Sequence, residues 1–143
     1  LREENDAWAV ARALLGLGKV ALHRGEPARA MDLLQESLQL ARERRDRGHM
    51  VECLEAIAFV AGTRGHSEQA ARLLGAAEGQ GQAIGQLRPP GLRAEYERNV
   101  SALRGQMDEA VFSQLWAEGR RLDEAATLLL AEALAYAFSD GDR

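Results

Sequence analysis

Val20-Ala21-Leu22-His23-Arg24-Gly25 decides the fold, because the chain returns to it every forty residues. Val60, Arg64 and Gly65 make the second copy; Val100, Arg104 and Gly105 make the third. An alanine stands five residues past each glycine, at Ala30, Ala70 and Ala110. The first two copies also agree at Leu14/Leu54, Ala21/Ala61, Leu33/Leu73 and Leu34/Leu74, so eight identities fall between positions 14 and 34. A fixed period of this size marks stacked helical units, and forty residues lies between the tetratricopeptide (TPR) and HEAT lengths.

Outward from that stretch, the chain reads as helix pairs. From Asp6, placed as a helix start, Val10, Leu14, Leu17, Ala21 and Leu22 recur at three- and four-residue steps and form one apolar stripe. Gly25 stops this helix in the left-handed conformation that glycine tolerates. Pro27 opens the next helix, where its missing N–H costs nothing. Ala30, Leu33, Leu34, Ser37, Leu38 and Ala41 mark the buried stripe of that second helix, which ends in a basic run that suits its negative end. The second unit repeats the plan. Asp46 caps a helix burying Val51, Leu54, Ile57, Ala58 and Ala61, Gly65 ends it, and Ser67 caps a helix carrying Ala70, Ala71, Leu73, Leu74 and Ala77. The alanines at the crossings let paired helices approach closely.

The later part is less regular. Gly75, Gly79, Gly81 and Gly85 weaken the fourth helix, which is expected to fray or bend beyond Glu78. Pro89-Pro90 forbids a continuous helix. A fifth helix follows, with Leu92, Tyr96, Val100 and Leu103 on its apolar face and Gly105 at its end. Asp108 starts a sixth, with Val111, Phe112, Leu115 and Trp116 inward, that Gly119 ends early. Asp123 starts a seventh, with Ala126, Leu129, Leu130, Ala133, Leu134 and Phe138 on its packing side and a tail from Ser139. The expected architecture is all-α: antiparallel helix pairs stacked as a TPR-like right-handed superhelix of about seven helices. Repeats span about 6–45, 46–85 and 86–121 of a single domain, and a helix at about 122–138 caps the open end of the stack. Arg2, Glu3 and Asp6 match Arg42, Glu43 and Asp46. Arg2 and Glu3 are therefore expected to close a helix of a preceding repeat, and the chain reads as a piece of a longer protein.

Composition narrows the function. The 143 residues carry a net charge of −4 with acids and bases interspersed, which argues against direct contact with nucleic acid by this segment. No apolar run reaches the ~20 residues of a membrane span. The single cysteine, Cys53, permits no internal disulfide and fits a reducing cytoplasm. The run Gly16-Leu17-Gly18-Lys19 lacks the first glycine and the Ser/Thr of a phosphate loop and lies within a helix. His23, His49 and His66 show no paired ligand spacing, so no metal site is expected. Cys53 sits at a small core position, and Glu52 and Glu55 beside it disfavour a thiolate. No catalytic group and no cofactor is expected, and the chain reads as non-enzymatic.

What remains is a surface. In stacked helix pairs the first helices line the concave side, and inward residues not consumed by packing are free to bind. Repeat position assigns that role to Arg12, Leu15, Lys19 and His23, then Glu52, Glu55, Phe59 and Thr63. The candidate binding residues are Arg12, Lys19, His23, Glu52, Glu55 and Phe59, with Phe59 standing where Lys19 stood.

Cys53-Leu54-Glu55-Ala56-Ile57-Ala58, Gly65 and Gln69-Ala70-Ala71-Arg72-Leu73-Leu74-Gly75-Ala76-Ala77-Glu78 resemble the C-terminal helical repeats of large bacterial ATP-dependent transcriptional regulators of the LuxR type. Tyr96-Glu97-Arg98, Phe112, Trp116-Ala117-Glu118-Gly119 and Glu124-Ala125-Ala126 look like the end of the same region. The resemblance covers roughly residues 10–137. It implies a non-catalytic interaction or sensor segment for a partner protein, a small-molecule inducer or self-association. It also implies that the ATPase and the DNA-binding helix-turn-helix lie elsewhere. The alternative is a structural module that pairs chains, as a homodimer, and has no ligand of its own. Departures from the usual TPR pattern are the period of forty, the alanines at 21 and 61 in place of a large aromatic, and the lack of a proline closing the second helix.

Overall fold

The computed structural model describes residues 2–141, and the side chains of residues 3–138. Seven helices account for nearly all of it: α1 (Arg2–His23), α2 (Pro27–Arg44), α3 (Arg47–Thr63), α4 (Ser67–Ala83), α5 (Pro90–Arg104), α6 (Glu109–Arg120) and α7 (Glu124–Gly141). Among the described residues there is no strand, and no helix is long and apolar enough to cross a membrane.

The turns that close the first four helices share one chemistry. Gly25, Gly65 and Gly85 adopt positive φ, and so does Arg45. In each case the next residue donates its N–H five residues back: Glu26 to Ala21, Asp46 to Ala41, His66 to Ala61 and Gln86 to Gly81, at 2.9–3.1 Å. These bonds satisfy carbonyls that the helix end would otherwise leave open. Gly105 does not follow them. Its φ is −67°, and α5 unwinds through a loose turn instead. The expected caps Asp46, Asp108 and Asp123 accept from the N–H groups of His49, Ala110 and Ala126. Two expected caps do not form. His66, not Ser67, precedes α4. Asp6 lies inside α1, because Arg2–Asn5 already coil and Glu3 and Glu4 suit the positive first turn. Arg2 and Glu3 thus lie in one continuous helix with Asp6.

α1 packs on α2, α2 on α3 and α3 on α4, with α1 alongside α3. Ala21, Ala30, Ala61 and Ala70 are all buried at the crossings. α3 is the central helix, and from His49 to Gly62 only Glu52 and Phe59 escape full burial. On α1 the apolar stripe is only partly used: Ala21 is buried and Leu22 packs against the core, while Val10 and Leu17 stay half exposed because no described helix covers that side.

The third unit, expected at 86–121, departs from the plan. α6, not α5, takes the place against α4. Glycine is the reason. A Cβ on Gly119 would overlap the Arg72 carbonyl, and one on Gly75 would overlap the Trp116 carbonyl. A Cβ on Gly79 would lie 3.0 Å from the Arg120 carbonyl oxygen. The two backbones touch where no side chain intervenes. This packing also keeps α4 helical to Ala83 instead of fraying beyond Glu78, while α6 ends at Arg120, one residue past Gly119. Phe112 and Leu115 are buried and Trp116 packs against the core, but Val111 and Ala110 face solvent.

Displaced from the stack, α5 buries only Leu103 and rests lightly on α3 and α4. α7 does not cap the open end. It lies against α2, α3 and α4, with Leu128, Ala131, Leu134, Ala135 and Phe138 buried. Leu134 and Phe138 are buried as expected and Leu130 packs against the core, but Leu129 is 66% exposed and Ala133 also faces solvent. The helical backbone continues from Ser139 to Gly141, where a tail was expected; residues 142 and 143 lie outside the described residues.

Candidate functional site

The displaced α5 roofs a cavity of about 350 Å³. α1 and α4 form its walls, α3 its floor, and the turn through Gln86–Pro89 closes one end. All six candidate residues (Arg12, Lys19, His23, Glu52, Glu55 and Phe59) line it. The two other concave-face positions do not. Leu15 is buried in the core, and Thr63 is an exposed residue whose hydroxyl donates to the Val60 carbonyl. The forty-residue register brings the six together, because it sets α1 and α3 side by side with matching faces.

Sequence reasoning missed the opposite wall and the roof. α4 contributes Glu78 and Gln82, and the turn and α5 contribute Arg88, Leu92, Glu95, Tyr96 and Asn99. No local pattern announces them, since they reach the cavity only because α5 folds back over the concave face. Arg88 pairs with Glu55 and lies 3.5 Å over the Tyr96 ring. Tyr96 meets Phe59 edge-on at 5.8 Å and donates to Glu78 at 3.4 Å. His23 Nε2 pairs with Glu95 at 3.0 Å, fastening α5 to the end of α1.

Beneath the cavity lies a buried polar chain. The Ser37 hydroxyl donates to the Ala11 carbonyl at 2.7 Å. His49 Nε2 approaches the same hydroxyl oxygen at 2.7 Å, and the Cys53 thiol donates to it at 3.4 Å. With that hydroxyl proton committed, His49 must donate from Nε2, which leaves Nδ1 to accept from Arg12 Nη1 at 3.3 Å. Arg12 in turn pairs with Glu52 at the cavity wall. Burial, then the Arg12 charge, holds His49 below its ordinary pKa, in agreement with a neutral ring. Burial pushes the Cys53 thiol up to about 12, so it is an inert core group.

Glu55 is the buried carboxyl group of the cavity. Burial raises it to about 7, against the opposing pull of Arg88. Tyr96 is raised too, by burial and then by the charges of Glu55 and Glu78. The cavity therefore has an aromatic edge, a carboxyl group poised between charge states near neutral pH, and ion pairs that hold its roof in place.

No family model matches the chain, and no solved structure matches it significantly. Curated relatives do. Proteins from Mycobacterium bovis and from two strains of Mycobacterium tuberculosis, each named "Putative HTH-type transcriptional regulator", are 35% identical to it over 135 residues. The match takes in 94% of this chain but only 15% of each relative's length. Over nearly its whole length, this chain is similar to one segment of proteins named as HTH-type transcriptional regulators.

Proposed function

We propose that this chain is a non-catalytic sensor segment of a bacterial transcriptional regulator, of the TPR-like LuxR type, and that its cavity holds a small-molecule effector in the cytoplasm. The observation that carries this is the roofed cavity itself. It lies within the usual range of ~300–1,000 Å³ for ligand sites and combines apolar surface with a few convergent polar groups. The names of the relatives support a regulatory setting. A fragment screen by thermal shift on this chain tests the reading. Ala56→Phe plugs the floor and Leu92→Trp plugs the rim. Fragments that stabilise the parent chain and neither plugged variant occupy the cavity. A screen that returns no such fragment sinks the proposal.

A second reading, assembly with another chain, draws on α1. Val10, Leu17 and Val20 are each about half exposed, at 49%, 50% and 48%. Their counterparts forty residues on, Met50, Ile57 and Val60, are buried in the core. Light scattering across a dilution series decides this reading, and a monomer at every concentration removes it.

A further inference from the structure

The walls of the cavity carry opposite charge. α1 presents Arg12 and Lys19, whereas α3 and α4 present Glu52, Glu55 and Glu78. Most of this charge is consumed internally: Arg12 pairs with Glu52, Arg88 pairs with Glu55, and a His23–Glu95 hydrogen bond occupies a third carboxylate. Two groups are left over. Lys19, half-buried on α1, makes no ion pair or hydrogen bond among the described residues. Glu78 on α4 accepts only two long hydrogen bonds, 3.4 Å from the Tyr96 hydroxyl and 3.5 Å from Gln82 Nε2, and no cation pairs with it. Both groups line the cavity, Lys19 from α1 and Glu78 from α4, with α3 packed against both helices. Phe59 stands on α3 at the position equivalent to Lys19, with Tyr96 against it.

A half-buried ammonium and a half-buried carboxylate that do not pair with each other both gain from a molecule that meets them. The apolar edge of Phe59 and Tyr96 favours a flat middle. From this geometry we infer that the cavity takes a small bipolar organic molecule. Its acidic group meets Lys19, its ammonium or other strong donor meets Glu78, and its flat apolar middle lies along Phe59 and Tyr96. The inference rests on the cavity being a ligand site.

Three probes of one shape test it by calorimetry on this chain at neutral pH: para-aminomethylbenzoate, para-toluate and the methyl ester of the first. The first offers acid and amine, the second acid alone, the third amine alone. The expected result is that the bipolar probe binds at least about tenfold more tightly than either of the others, as one added charge-assisted contact allows. Lys19→Met should bring the bipolar probe down to the level of its ester. Glu78→Gln should bring it down to the level of the toluate. Lys19→Gln stands in if the methionine variant melts early. Equal affinities across the set, a preference that survives both substitutions, or no measurable binding of any probe overturns the inference. If plug-sensitive fragments still bind while this pattern is missing, the ligand class alone is wrong. If no fragment binds, the sensor reading falls with it.

Discussion

Glu55 is a carboxyl group that folding has taken most of the way out of water, and its stability signature follows from that. Its folded pKa, about 7, lies above the ordinary 4.5, so the folded chain holds the proton where the unfolded chain has released it. The linkage sign is then fixed: stability contributed by Glu55 is fully present below 4.5 and is lost as pH rises to about 7. His49 acts in the opposite sense, because its pKa is lowered from 6.5 and its contribution is lost as pH falls below that value. Comparing Glu55→Gln with the parent chain separates the two. The variant should gain on the parent as pH rises through the Glu55 window, by something on the order of 1–3 kcal/mol in total. Melting curves across that range check it, and a constant offset between the two proteins contradicts the assignment. Ser37 gives a second test. Ser37→Ala leaves the His49 N–H and the Cys53 thiol without their shared acceptor, at a cost of about 1–3 kcal/mol in denaturant unfolding.

Among the helices, glycine has opposite meanings at different sites. Gly119 lets α6 lie backbone to backbone on α4, and a Cβ there would overlap the Arg72 carbonyl and crowd the Ala76 amide at 2.9 Å. Since both neighbours are main chain, neither can swing aside. Gly119→Ala should therefore lift α6 from α4 and cost about 1–3 kcal/mol or more. It should also speed amide exchange along α6. Gly16 sits in the exposed middle of α1, where an added Cβ would meet nothing within 4 Å. Gly16→Ala should stabilise the chain by roughly 0.4–1 kcal/mol, because the unfolded chain loses freedom and the helix loses nothing. Chemical denaturation of both variants checks the opposite signs. Reading the glycines along α4 as helix breakers failed for a physical reason. A glycine's cost is local, but its benefit, close approach, depends on a helix more than forty residues away.

Across the whole molecule, burial is graded. α3 is almost entirely enclosed, whereas α5 buries Leu103 alone and is held mainly by Arg88, Tyr96 and Glu95 contacts at the cavity. Native-state hydrogen exchange should find α5 opening first and α3 last. A cavity ligand that touches α5 should slow exchange there more than elsewhere. The first two helix pairs and the six cavity residues on α1 and α3 were legible in the chain, because a forty-residue repeat reports local helix ends and equivalent faces directly. The caps at Asp46, Asp108 and Asp123 were legible for the same reason, since each acts within its own first turn. The exchange of α6 for α5 against α4, the sideways placement of α7 and the Glu78–Arg88–Tyr96 side of the cavity were not. These depend on which surfaces can approach most closely in three dimensions. Gly75, Gly79 and Gly119 settle that contest only once α4 and α6 are brought face to face.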